Sequence, residues 1–184
     1  RGRYSFLLES VEGGERLGRY SFIGSEPRRV IRTGHRRGGA ASYRDPLPSL
    51  REELQRFRVA SVPDLPRFHG GAVGYLAYEV VRYFERLPQG APDPLDLPEA
   101  IFLLTDTLLV FDHLRHRIKV VTHATLDGDR DAAYEAAVER IEGLVERLRR
   151  PLPRRIFRAA APCDPSPTTV NMTQPEYEAR VRRA

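Results

Sequence analysis

Residues 100–112, AIFLLTDTLLVFD, constrain the fold of this chain more than any other stretch. The run reads as one long β-strand, and RIKVVTHA (117–124) alternates as its antiparallel hairpin partner across HLRH. A chain built around such a hairpin must stack further strands or helices on it to bury the apolar side chains. The apolar pieces AIFLL and TLLVF are far too short to span a membrane. No apolar signal core follows the arginines at the N-terminus. Cys163 is the only cysteine, which excludes an internal disulfide and a cysteine-cluster metal site. A reducing, cytoplasmic setting is the expectation.

More strands are legible upstream. The pentapeptide GRYSF occurs at 2–6 and again at 18–22, and residues 3–10 and 16–23 flank EGGE. Gly13-Gly14 can supply the positive φ of a tight loop, so these two segments read as an antiparallel hairpin. RRVIRT and ASYR, on either side of GHRRGG, read as a second hairpin. Asp45 followed by Pro46 signals a helix start, with Leu47, Leu50, Leu54 and Phe57 as its apolar stripe. HGGAVGYLAYEVVRYFERLP (69–88) reads as a glycine-rich strand closely approached by other backbone, then a short helix. Pro88 to Pro98 reads as a loop. Residues 129–149 form a helix whose apolar face is Tyr134, Val138, Ile141, Leu144, Val145 and Leu148.

These elements predict an α+β fold, antiparallel β-sheets flanked by helices, over residues 1–150. The proline-rich stretch 151–170 cannot continue a helix and reads as a linker. Residues 171–184 open a new helix, with Thr173 as cap, Glu176 three residues on and Pro175 in the first turn. That helix reads as the truncated start of another domain.

Charge and motifs remove several classes of function. The net charge of +5 comes from bases interleaved with acids, as on a solvated helix face. Only HRRGG and RRPLPRR are local clusters, and neither carries the interleaved aromatics of a stacking platform for nucleic acid. Lys119 is the only lysine and Asn171 the only asparagine, a usage that fits a heat-adapted or GC-rich source. There is no P-loop, HExxH, GxSxG, CxxC or dinucleotide fingerprint. GGAVG has no following Lys-Ser/Thr and reads as packing. His113, His116 and His123 bracket a hairpin and read as surface residues, while Asp106 and Asp112 fit strand-end and turn roles. LLES (7–10) leaves two readings open. It is an edge strand leaving the core, or one wall of a small-molecule pocket in which Glu9 receives an ammonium group and Ser10 holds a polar atom.

FLLESVEGGERLGRYSFIG (6–24), GGAVGYLAYEVVRYFERLP (70–88), LLTDTLLVFDHLRHRIKVV (103–121) and NMTQPEYEARVRRA (171–184) together resemble anthranilate synthase component I. They stand in that family's order, and with their linking segments the resemblance covers essentially the whole chain. VVRYFERLP and VFDHLRHRIKVV are more similar to this family than to its relative, aminodeoxychorismate synthase component I. The resemblance implies a subunit that converts chorismate to anthranilate and pyruvate with Mg²⁺, using ammonia delivered by a glutamine amidotransferase subunit in a hetero-oligomer. It places the chorismate and Mg²⁺ residues in a C-terminal half, so no catalytic or metal residue carries over here. It does assign Leu8, Glu9 and Ser10, with Tyr20 and Ser21 beside them, to the site where tryptophan exerts feedback inhibition. The alternatives are the same region of aminodeoxychorismate synthase component I and a stand-alone amino-acid-binding module.

Overall fold

The computed structural model describes residues 3–9, 18–34, 44–88, 97–151 and 170–183. The chain divides into two compact units, Arg1–Arg149 and Arg150–Ala184.

In the larger unit, strands β1 (Ser5–Leu8), β2 (Tyr20–Ser25), β6 (Thr107–Asp112) and β7 (Arg117–Thr122) form an antiparallel sheet in the order β1-β2-β6-β7. Strands β3 (Arg29–Thr33), β5 (Ala100–Thr105) and β4 (Gly71–Leu76) form a second antiparallel sheet in the order β3-β5-β4. The antiparallel sheets and their helices are the predicted α+β class. The GRYSF-bearing segments do pair, with Ser5 opposite Ser25 and Leu8 opposite Phe22. Their glycine loop lies outside the described residues. The Phe6 ring lies over Gly24, where a Cβ would stand 2.3 Å from it and the ring would have to move.

The single long strand over 100–112 is corrected. The chain bends at Asp106 and passes from one sheet to the other, so β5 and β6 belong to different layers. Thr105 Oγ1 donates to the Thr107 carbonyl (3.0 Å) and Thr107 Oγ1 donates to the Asp106 carboxylate (3.1 Å). Side chains that bond their own backbone compete with the ladder, and the Thr-Asp-Thr trio does so here. The second expected hairpin falls largely outside the described residues, which include its first strand, β3, but not its turn. The described partner of β3 is β5, and residues 41–43 of ASYR lie outside the described residues.

The main core lies on one face of the four-stranded sheet. Leu108 and Val110 are fully buried and Val121 nearly so, with Phe6, Tyr20, Phe22, Leu65 and Phe68 packed around them. Phe22 and Phe68 meet edge to face at 5.3 Å, a favoured aromatic geometry. Ile31, Ala100, Leu103 and Leu104 are the buried apolar residues of the other sheet, with Thr33 and Thr105 buried beside them. β4 lies close against β5: a Cβ on Gly74 would come within 1.9 Å of the Ile101 carbonyl oxygen, which is the close approach its sequence suggested.

Helix α1 (Pro46–Gln55) starts as predicted, Asp45 accepting a hydrogen bond from the Leu47 amide at 2.9 Å with Pro46 in the first turn. It ends two residues before Phe57, whose ring instead carries the Arg28 guanidinium at 4.8 Å. After β4 comes a 3-10 turn, Tyr78–Tyr83. Helix α2 (Arg130–Arg149) is capped by Asp129, which accepts from the amides of Asp131 and Ala132. Its apolar stripe is wider than the surface it covers. Ala137 is buried, but Tyr134 is 67% and Leu148 45% exposed.

In the smaller unit, helix α3 (Gln174–Arg183) starts where the sequence suggested, with the Glu176 half of the capping box formed. The Glu176 carboxylate accepts from the Thr173 amide (2.8 Å) and from its hydroxyl (2.9 Å), which lowers the Glu176 pKa.

Candidate functional site

Antiparallel register decides which residues share an end of the four-stranded sheet. Leu8 is opposite Phe22, and Tyr20 is opposite Asp112. The exit of β1, the entry of β2 and the exit of β6 therefore meet, and they bring Leu8-Glu9, Arg19-Tyr20-Ser21 and Asp112-His113 together.

An ion pair with a buried carboxylate and a partly exposed guanidinium anchors the cluster. Arg19 Nε donates to one Asp112 oxygen (3.0 Å) and Nη2 to the other (2.8 Å), the two-pronged geometry in which a guanidinium best fits a carboxylate. Asp112 is 1% exposed and also accepts from the Arg115 amide at 3.2 Å, which tightens the turn into β7. The Arg19 hydrogen bonds, helped by backbone donors, outweigh burial and hold the Asp112 pKa down to about 2. The Arg19 guanidinium also lies over the Tyr20 ring at 4.8 Å, and the His113 amide donates to the Arg19 carbonyl at 2.9 Å. These contacts fix the backbone at His113, from which its imidazole extends.

Ser21 joins the other two groups. It is 4% exposed, and its Oγ lies 2.7 Å from His113 Nε2 and 3.5 Å from Glu9 Oε1. Glu9 itself is exposed just past the end of β1. Leu7 and Leu8 are 58% and 41% exposed and add apolar surface beside it. Of the five residues assigned by resemblance, four stand together at this sheet end. Ser10 lies outside the described residues.

Chemically the cluster offers a solvent-facing carboxylate, a buried hydroxyl behind it and apolar surface alongside. That set suits a small amphipathic cation better than an anion. Arg19 is already committed to Asp112 and presents no free bidentate fork.

Sequence reasoning assigned no part in the site to Arg19, Asp112 or His113. Asp112 does hold a turn, as expected, but its larger role is the clamp on Arg19, 93 residues away. His113 is exposed, as expected of a surface residue, and its ring also bonds Ser21. A carboxylate and an imidazole adjacent at the end of an apolar run were the available signal.

His123 is tied inward as well. Its Nε2 lies 2.7 Å from the His69 carbonyl, and the two rings stack at 5.5 Å. Among the described residues no three His, Cys, Asp or Glu side chains gather where they could hold a metal ion. The residues present therefore do not fit the Mg²⁺ that the resemblance implies, and no chemical step is derived through it. Two open depressions lie elsewhere. One, of about 480 Å³, is edged by Arg28, Arg140 and Arg147 with Asp106 and Glu26. The other, of about 490 Å³, lies beside α1. The long ion pairs at the first, Arg140–Asp106 at 3.4 Å and Arg147–Glu26 at 3.9 Å, are of the solvent-screened kind that contributes little.

Comparison with known proteins adds the wider setting. Residues 3–184 match the family described as chorismate binding enzyme. Anthranilate synthase component 1 of Streptomyces coelicolor is 43% identical over 97% of this chain and 34% of its own length. The protein of the same name from Pseudomonas aeruginosa is 40% identical over 97% of this chain and 39% of its own. The crystal structure of anthranilate synthase component I from Streptococcus pneumoniae aligns with 83% of this chain and 33% of that one, at 27% identity and a TM-score of 0.60. The chain thus spans roughly a third of the length of these relatives. Among the described residues no helix is long and apolar enough to cross a membrane. With nearly every residue inside the family match, the chain belongs to the chorismate-binding enzymes.

Proposed function

We propose that the complete protein is the chorismate-utilising subunit of anthranilate synthase and that the region described here is its scaffold and regulatory part. The reaction consumes chorismate and ammonia and yields anthranilate, pyruvate and water. The ammonia comes from glutamine through an amidotransferase subunit, in a cytoplasmic hetero-oligomer. The observation that carries this reading is the run of relatives named anthranilate synthase component 1, two of them at 40% and 43% identity across 97% of the chain. Mg²⁺ serves the same complete enzyme through residues outside this chain. The test is product analysis of the complete subunit with chorismate, ammonia and Mg²⁺. Anthranilate with free pyruvate supports the reading. A product that keeps its enolpyruvyl side chain would replace it with the aminodeoxychorismate activity.

Within that enzyme, the sheet-end cluster is one wall of the site at which L-tryptophan inhibits. Glu9 receives the α-ammonium group, Ser10 a polar atom, and Leu8 with Tyr20 covers part of the indole, while Ser21 supports Glu9 from behind. The contact of Glu9 with buried Ser21, which also bonds His113, supports this assignment. Inhibition follows if tryptophan prefers an arrangement of the enzyme that binds chorismate poorly, in which case chorismate weakens tryptophan binding by the same factor. Replacing Ser10 with a bulky residue in the complete subunit raises the tryptophan concentration needed for half-inhibition. Unchanged sensitivity would contradict the assignment.

A further inference from the structure

The Ser21 hydroxyl has one proton and two neighbours, and only one distribution of protons serves both. A carboxylate accepts and does not donate, so the contact from Ser21 Oγ to Glu9 Oε1 at 3.5 Å needs the hydroxyl proton. With the hydroxyl proton on the Glu9 side, the shorter 2.7 Å contact is a hydrogen bond donated to Ser21 Oγ by the His113 tautomer protonated at Nε2. The polar chain runs in one direction: imidazole N–H to serine oxygen, serine O–H to the Glu9 carboxylate.

The surroundings hold that chain in place. Ser21 is 4% exposed, so its hydroxyl has little access to water in place of either neighbour. The His113 backbone is fixed through its amide on the Arg19 carbonyl, next to Asp112, which Arg19 grips with two hydrogen bonds, and the exposed His113 ring is held by the contact with Ser21. Glu9 is the free end, exposed past the last residue of β1. A carboxylate on an exposed strand end would otherwise sample several rotamers. A donor from the sheet favours the one that points back across Ser21.

We infer that His113 and Ser21 are positioning residues that aim the Glu9 carboxylate, so that the site selects ligands bearing an ammonium group over analogues without one. This rests on the assignment of the site to L-tryptophan. The consequence is a selectivity and not only an affinity. Loss of the relay should weaken a ligand that pairs with Glu9 and leave largely unaffected one that uses only the apolar surface. General damage to the sheet end would weaken both alike.

The experiment uses the complete subunit and calorimetric titration with two probes, L-tryptophan and indole-3-propionate, which lacks the amino group. The readout is the ratio of their dissociation constants. Glu9→Gln should lower the preference for tryptophan at least tenfold. Ser21→Ala and His113→Phe should each lower it several-fold, whereas His113→Gln, whose amide N–H can still donate, should keep most of it. If Glu9→Gln leaves the ratio unchanged, the tryptophan assignment itself fails, and the relay with it. If Glu9→Gln lowers the ratio but Ser21→Ala and His113→Phe leave it as in the unaltered protein, the assignment stands and the relay is overturned. Ser21→Ala, a change of one buried oxygen, gives a decision even where the larger His113→Phe change perturbs folding.

Discussion

At the scale of single residues, the Arg19–Asp112 pair has the clearest measurable consequence. The folded-state pKa of Asp112, about 2, lies below the ordinary value of about 4 for an aspartate. A depressed carboxylate contributes stability that is complete above its unfolded pKa and is lost as the pH falls through the folded one. The Asp112 share of stability should therefore disappear between about pH 4 and about pH 2. Urea unfolding at a series of pH values should give an acid limb that is shallower in Asp112→Asn than in the unaltered chain. Equal slopes would contradict the role given to this pair. Packing offers a second test at this scale. Leu108 is fully buried in the centre of the core, so Leu108→Ala should cost about 2–5 kcal/mol, measured as a lower denaturation midpoint. Gly74→Ala should also destabilise, because its methyl would meet the Ile101 carbonyl and the two strands would have to separate.

At the scale of elements, the local signals for starts and stops were the most legible. Asp45-Pro46 caps the helix expected from it, and Glu176 reaches back to the Thr173 amide at the start of α3, whereas Asp129, read as the first residue of its helix, caps it from outside. Asp45→Ala removes the bond to the Leu47 amide and should lower stability by about 1 kcal/mol, readable from equilibrium unfolding. The strand over 100–112 was misread for a physical reason. Its apolar residues continue on both sides of Asp106, and hydropathy does not register a change of sheet. The information lay in three adjacent polar side chains, Thr105, Asp106 and Thr107, which bond one another's backbone and side chains and turn the chain. The apolar stripe of α2 failed at Tyr134 and Leu148 for a related reason: periodicity names the face of a helix, and tertiary packing decides how much of it is covered. Thr107→Val should remove both its bond to Asp106 and its contact with Thr122 Oγ1 at 2.8 Å. The expected result is a lower denaturation midpoint with the far-ultraviolet circular dichroism of the sheets retained.

At the scale of the molecule, the sheet end illustrates what one sequence conveys. LLES and the second GRYSF were visible as a pair of strands, and the resemblance attached a ligand to them. Arg19, Asp112 and His113 could not be joined to them without the topology, because β6 reaches β2 only after the chain has built the other sheet. The cluster spans three strands, and its proposed occupant is small enough to sit at their shared end. If the account is right, regulation of the complete enzyme passes through Glu9. The most direct measurement is inhibition of anthranilate formation by L-tryptophan in the complete subunit, compared with Glu9→Gln. The account predicts that the variant needs at least tenfold more tryptophan for half-inhibition. Superimposable inhibition curves would contradict it.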